Sequence, residues 1–534
     1  MADRQHYFEK TESRWLILSA LILSIPAFIF NLDVVPFIGD EGIRSLVALE
    51  MKWSGNFIVP TMNGEYYFNK PPLYNWILLL TSELFGDYGE WPSRLTTLFF
   101  LAIYAWTVFH FMRKSFDRLT AVSMALMLIT SGRILFWDSM LGLIDICFSW
   151  LIFLNFMLWY YLPKKEKWSQ LFLTSYILIA AAFLLKGLPA VVFQGITVIG
   201  ALWYHGAFRK KIFSAGHIGG GVLFILICGS YYAAYARYVD PEIVFSVLLE
   251  QSLKRTGTHH TIWETLLHLF TFPFEQFYHF LPWSVLIIGV FHPAFIRIIR
   301  TNDFVRYSFI ILVANLVVYW TSVEVYPRYL LMFVPLFNLV LYYVLIQDNP
   351  FSKKILRIFY LALLTIALLV TVVFIIFPLV ERSRQLSYWP IVWIIGSVTS
   401  GFITYGLYRD KRRMLIWAAL SMLVLRIAMS ALVLPFRAED LMTYNTRNDA
   451  VRLASKYKDR DWYLYSDTYL HEVARFYTSK YKGNIIRRTK DDNMQNVYYL
   501  VNKQWYPDFS GEVLDSIRLE TGDYIMIMQK DSNQ

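Results

Sequence analysis

The sequence predicts a polytopic α-helical membrane protein of about 13 transmembrane helices with a small C-terminal soluble α/β domain. Three observations predict it. Hydrophobic residues make up 56% and aromatic residues 18% of the chain, beyond the balance of a soluble globular protein. Apolar stretches of roughly 18 to 24 residues, long enough as helix to cross about 30 Å of hydrocarbon, recur between Trp15 and Val433. After Pro435 the apolar runs shorten and charge rises. The layout is therefore a transmembrane unit over 1–435 and a soluble unit over 436–534.

In chain order, the first apolar stretch follows a charged segment but precedes no small-residue cleavage site, so it reads as a retained helix. The expected spans are 15–32, 93–112, 119–137, 140–162, 170–185, 188–205, 217–236, 281–297, 307–322, 329–346, 355–378, 388–408 and 414–433. Lysine and arginine gather in alternate short loops, as at Lys164, Lys165 and Lys167 or Arg409 to Arg413. Cytoplasmic loops carry such an excess, so an inside N-terminus sends the long loops 33–92 and 237–280 and the tail outward. The formal charge of +10 then reports topology and not nucleic-acid binding. Cys147 and Cys228 both lie in apolar spans, which excludes a disulfide framework or a zinc-cysteine site.

The first outer loop is too long to be a simple connector. It opens with Gly39-Asp40-Glu41-Gly42, continues as a short helix that Gly55 stops, and turns at Asn63-Gly64. Tyr66-Tyr67-Phe68-Asn69-Lys70-Pro71-Pro72 follows, and from Pro72 a helix too short to span is expected to lie along the membrane surface. Asp138, Asp145 and Lys186 sit in or beside apolar spans, where a charge is costly and functional by default. The second outer loop carries Lys254, Arg255, His259, His260 and Glu264, and a further outer turn carries Glu324, Tyr326, Arg328 and Tyr329. In the tail, 462–465, 496–501 and 524–528 read as strands and 469–478 as a helix.

These outer-face groups suit group transfer from a lipid-linked phosphate. A carboxylate deprotonates or positions a hydroxyl nucleophile, while cations and tyrosines hold the leaving phosphate. Asp40, Glu41 and Asp138 are the candidate catalytic carboxylates; Lys70, Arg255, Tyr326 and Arg328 are the candidate phosphate clamp. No nucleotide-binding glycine loop is present, which fits a lipid donor. Structural roles compete for each. Asp40 and Glu41 also suit a helix N-terminus, Lys70 an interfacial lysine, Asp138 a solvated helix end, and Asp145 a buried paired acid. Adjacent His259 and His260 point apart, whereas His260 and Glu264 share a helical face and form a candidate metal pair.

The run Gly39-Asp40-Glu41-Gly42, then Ser54-Gly55-Asn56 with Pro60, then Tyr67-Phe68-Asn69-Lys70-Pro71-Pro72-Leu73, then Phe85-Gly86 and Arg94-Leu95, resembles the GT-C class of membrane glycosyltransferases. Within that class it is similar to the branch of the aminoarabinose (lipid A) transferase and the bacterial protein O-mannosyltransferase-like enzymes. Arg133 with Asp138, Lys186-Gly187, Pro282-Trp283 and Arg328-Tyr329 with Pro335 follow in family order. The resemblance implies a GT-C-like fold and a sugar taken from a polyprenyl phosphate, typically undecaprenyl phosphate, at the periplasmic face of the bacterial inner membrane. It implies Asp40 as the catalytic acid of the first loop, Lys70 as a phosphate-binding cation and Asp138 as the second aspartate. The acceptor would be lipid A, another glycolipid or a protein. Relatives commonly place a glutamate before the lysine, and that glutamate helps bind a divalent metal. Asn69 stands there in this chain, which leaves a divalent metal cation an open expectation.

A lipid-linked sugar transporter or flippase would also have many spans, but corresponding broken helices in two halves would mark it, and the chain shows no such symmetry. An oligosaccharide polymerase or ligase shares the lipid-phosphate chemistry. Long motif-bearing loops on one face favour an enzyme.

Overall fold

The computed structural model describes residues 14–253 and 261–529. Among them, nine helices are long and apolar enough to cross a membrane, ten when the pair Arg118–Ile129 and Gly132–Met140, bent by 48°, counts as one. The remaining expected spans differ for local reasons. Two are the shorter apolar helices α1 (Arg14–Ile29) and Pro189–Tyr204. The stretch expected at 281–297 is a 3-10 segment, Trp283–Phe291, and a separate short helix, Phe295–Ile299. Pro282 precedes it and Pro293 interrupts it, and neither can donate to an α-helical ladder. The segment is held internally: Trp283 is fully buried and its indole N–H donates to Thr130 Oγ1 at 3.1 Å.

The membrane character is visible in what remains uncovered. Leu21 and Ile25 on α1, Ile225 and Leu226 on Ala215–Tyr235, and Ile395 and Val398 on Trp389–Arg409 are all exposed. Apolar surface of this extent is stable only against lipid.

The first outer loop folds as expected. Helix α2 (Asp40–Ser54) starts after Gly39 with Asp40 and Glu41 in its first turn, where carboxylates oppose the positive end of the helix dipole. Gly55 closes it in the left-handed conformation, φ 68°, returning its N–H to the Met51 carbonyl at 3.0 Å. Strands β1 (Thr61–Met62) and β2 (Glu65–Tyr66) then pair around Asn63 and Gly64, both at positive φ, the geometry of a tight two-residue hairpin. Buried Glu50 pins the hairpin by accepting from Thr61 Oγ1 at 2.8 Å, Asn63 N at 2.6 Å and Gly64 N at 3.1 Å. Burial pushes the Glu50 carboxyl up, against the lowering effect of those three donors. Helix α3 (Leu73–Phe85) follows the double proline and packs on α2 and on α4 (Glu90–Met112).

The tail is a five-stranded mixed sheet flanked by two helices. With α5 (Met442–Lys456), β3 (Asp461–Tyr465), α6 (Glu472–Lys482), β4 (Arg487–Thr489), β5 (Val497–Val501), β6 (Glu512–Arg518) and β7 (Tyr524–Gln529), the strand order is β4-β3-β5-β7-β6. β3 runs parallel to β4 and β5, while β7 is antiparallel to β5 and β6. β5 is buried at every position, which is why it reads as a continuous apolar run. Short β4 and charge-bearing β6 gave no such signal.

This sheet unit grips the first outer loop. Phe37 packs edge-on against Phe476 at 4.8 Å, and its N–H donates to Tyr477 Oη at 2.9 Å. Tyr477 in turn donates to Glu90 at 2.5 Å, which also meets Arg447 at 3.2 Å. Asn63 Nδ2 donates to the Ile486 carbonyl at 3.0 Å.

Candidate active site

Four ionisable side chains from four parts of the chain meet in one line. Arg328 Nη2 donates to Asp40 Oδ2 at 3.0 Å, and its Nε lies 3.5 Å from Asp145 Oδ2. Asp145 Oδ1 accepts from Lys186 Nζ at 2.5 Å. The order is thus Asp40, Arg328, Asp145, Lys186, with alternating sign. Asp40 is the exposed end, its side chain 49% accessible, whereas Asp145 and Lys186 are buried at 7% and 6%.

Local structure places each member. Asp40 is the first residue of α2. Asp145 opens the helix Asp145–Tyr161 and Lys186 is the last residue of Trp168–Lys186, so each charge opposes the dipole of its own helix. Arg328 follows Pro327 at the start of a 3-10 turn, Pro327–Phe333. Aromatic faces line the cations: Tyr326 stacks on Arg328 at 4.7 Å and Tyr329 covers the Lys186 ammonium at 4.0 Å. Lys70, half-buried after the hairpin, is near enough to act on Asp145 through its charge.

The other expected site residues divide. Asp138 is buried and both its oxygens face Arg133 Nε at 3.1 Å; its charge also acts on Asp145 and Arg328, so it borders the line without joining it. Glu41 is fully buried and saturated. Its carboxylate accepts from Arg94 Nε and Nη2, both at 3.0 Å, from Gly142 N at 2.7 Å and from Ile38 N at 3.0 Å. Arg94 continues to the carbonyls of Leu32 and Val35 at 2.7 Å and Pro36 at 3.2 Å. A carboxylate holding four donors is a clamp on the chain entering α2, and it leaves no lone pair to receive a substrate proton. Arg255 and His260 lie outside the described residues. Glu264 forms a capping box with Thr261 at the start of Ile262–Phe277.

Sequence reasoning marked Asp145 and Lys186 as costly charges in apolar spans, functional by default, weighed Asp145 as a buried paired acid, and put neither among the named site residues. The signal was present in both, a single charge inside an apolar span, but their pairing across 41 residues is a product of the fold. For a metal, the described residues offer one group of three donors, His471, Glu472 and Glu520 within 4.8 Å of one another, on the sheet unit.

Residues 69–232 match the family described as dolichyl-phosphate-mannose-protein mannosyltransferase. The chain is 24% identical to an uncharacterized protein of Aquifex aeolicus (strain VF5) over 322 residues, 58% of this chain and 61% of that one. It is 27% identical over 190 residues, 35% of this chain and 34% of the other, to the undecaprenyl phosphate-alpha-4-amino-4-deoxy-L-arabinose arabinosyl transferase of Serratia proteamaculans (strain 568). The matched stretches thus span at most 61% of these relatives. The fold extends further. The crystal structure of ArnT from Cupriavidus metallidurans bound to undecaprenyl phosphate aligns over 98% of this chain and 99% of its own, with a TM-score of 0.71 at 15% identity. Its apo state aligns at 0.69 and 17% identity, over 97% and 98%. Along its whole length the chain shares the fold of these ArnT structures, and residues 69–232 carry the pattern of the mannosyltransferase family model.

Proposed function

We propose that this protein is a glycosyltransferase of the bacterial inner membrane that moves one sugar from undecaprenyl phosphate to an acceptor at the periplasmic face. The observation that carries the reading is the alternating line from exposed Asp40 through Arg328 to buried Asp145 and Lys186. An acceptor hydroxyl gives its proton to Asp40 as its oxygen bonds to the anomeric carbon. The bond from that carbon to the phosphate oxygen breaks with inversion, and the electron pair leaves on the lipid phosphate.

Lys70, Arg328 and Tyr326, with Arg255 from the second outer loop, are the groups assigned to that phosphate. Asp145 is a positioning residue: it neutralises Lys186 and holds Arg328 where its far edge reaches Asp40. Glu41 serves the same loop as a structural clamp, a change from the catalytic role expected of it. Asp138 keeps its candidacy through its contact with Arg133. A divalent cation bound between His260 and Glu264 remains part of the proposal, as do lipid A, another glycolipid or a protein as acceptor. Nucleic acid has no place in it. A relative solved with undecaprenyl phosphate supports the donor assignment, and its matching fold disfavours a flippase.

Asp40→Asn tests the reading. Transfer to acceptor should fall by about 100-fold or more, while expression and undecaprenyl phosphate binding stay near wild type. Full transfer by that variant sinks the assignment. Mass spectrometry of lipid A, surface glycans and envelope proteins from cells with and without the gene identifies the acceptor; a sugar lipid accumulating on the cytoplasmic side instead would favour transport.

A further inference from the structure

Arg426 lies in the apolar helix Met414–Ala428 and is fully buried. Its Nε donates to the Ala27 carbonyl near the end of α1 at 3.0 Å, whereas its Nη1 is buried with no hydrogen-bond partner among the described residues. No carboxylate among the described residues stands at ion-pair distance from it, and the charge that acts on it belongs to Arg94, a second cation. A guanidinium is not deprotonated in proteins, and a buried charge without a counter-charge is strongly disfavoured. Arg426 therefore needs a negative partner that the described residues do not supply.

The space for one is beside it. A void of about 20 Å³ is lined by Arg94, Arg426 and Arg437, with Asn31, Trp137 and apolar side chains, and no acid lines it. Arg94 has all five of its N–H groups engaged, two on Glu41 and three on the carbonyls of Leu32, Val35 and Pro36. Arg437 is exposed, stacks on the Trp137 ring at 5.5 Å and has no carboxylate at ion-pair distance among the described residues. Two cations thus border one void without an acid between them. Its size decides the class of occupant. About 10–15 Å³ admits one water-sized body, so this void takes a single small particle and not a phosphate, a sulfate or a lipid headgroup. Guanidinium groups only donate hydrogen bonds. A water placed among them accepts but brings no charge, whereas a halide ion accepts from every side and supplies the missing one.

We propose that this void binds a single chloride ion, held by Arg426 from inside the bundle and by Arg437 from the exposed side. Bound there, the ion lies against Leu32 and Val35, whose carbonyls Arg94 holds, and fastens the chain entering α2 to the helix of Arg426. The site is separate from the line ending at Asp40 and does not depend on the sugar-transfer reading.

The test is the thermal midpoint of the full-length protein in detergent, with sodium chloride titrated against sodium gluconate at constant ionic strength so that screening stays the same. Chloride should raise the wild-type midpoint along a saturating curve, by about 2 °C or more at saturation. In crystals soaked with sodium bromide, anomalous scattering should place one bromide between Arg426 and Arg437. Arg426→Met removes the buried charge and should remove the chloride response with it. Arg437→Ala should move half-saturation to at least about five-fold higher chloride; because Arg437 is exposed, this variant carries the test even where Arg426→Met fails to fold. A wild-type midpoint equal in the two salts, or no bromide at the void, would mean that water fills it and would overturn the proposal. An unchanged chloride response in Arg437→Ala would overturn it as well, by placing the responsive ion elsewhere.

Discussion

A carboxylate almost without solvent, between an ammonium at 2.5 Å and a guanidinium at 3.5 Å, is stable only as part of the set. Removing one member of a buried ion group leaves the others charged without compensation, at about 3–5 kcal/mol. Asp145→Asn should therefore lower the thermal midpoint of the purified protein by an amount equivalent to that loss, because Lys186 loses the carboxylate that neutralises it and Arg328 is left with Asp40 alone. The double variant Asp145→Asn with Lys186→Met should recover part of it; no recovery would show that Lys186 is compensated elsewhere. Lys70 differs in kind. It lies half-buried after the hairpin that Glu50 pins, so Lys70→Ala should raise the KM for the polyprenyl-phosphate donor by about 10-fold or more with a smaller change in kcat. Asp40 and Lys70 were both legible in the sequence because each stands in a motif of its own. Asp145 and Lys186 are isolated charges in apolar helices, and only their meeting gives them a role.

At the scale of elements, the contact that ties the site to the rest of the outer face is the crossing of α2 and α6. Gly42 lies two residues after Asp40, and a Cβ there would stand 2.8 Å from the Glu472 carbonyl oxygen and 3.1 Å from Val473 Cα, both backbone atoms that cannot swing aside. Gly42→Ala should cost about 1–3 kcal/mol of stability and displace α2 from α6. Transfer activity in that variant should fall together with the thermal midpoint, and an unchanged midpoint would mean that the two helices separate without strain. The four-residue run Gly39-Asp40-Glu41-Gly42 announces a site and a helix start. It does not announce that its second glycine exists for a helix more than 400 residues later, because no local pattern encodes that crossing.

For the whole molecule, the sheet unit couples the outer loop to solution conditions. Glu520 accepts from Val473 N at 3.1 Å at the start of α6, and burial together with neighbouring Glu472 pushes its carboxyl up to about 7. A carboxyl raised in the folded state binds its proton more tightly there than in the unfolded chain. Its contribution to stability is thus fully present below the ordinary carboxylate range and is lost as pH rises to about 7. Glu520→Gln keeps an acceptor for Val473 and cannot ionise, so its thermal midpoint should match wild type near pH 4.5 and exceed it progressively up to about pH 7, then hold a constant gap. A gap independent of pH would show that Glu520 does not titrate in this window. The sequence by itself determined the membrane class, most of the apolar helices, the hairpin before Lys70 and the helix start at Asp40. Each follows from composition, period or a turn within a few residues. The tertiary structure alone decided that Glu41 is spent on Arg94, that Asp145 and Lys186 complete the line to Asp40, and that 281–297 is not an α-helical span. Those outcomes depend on which charges meet across the bundle, and the cost of leaving a buried charge unpaired is settled only by that meeting.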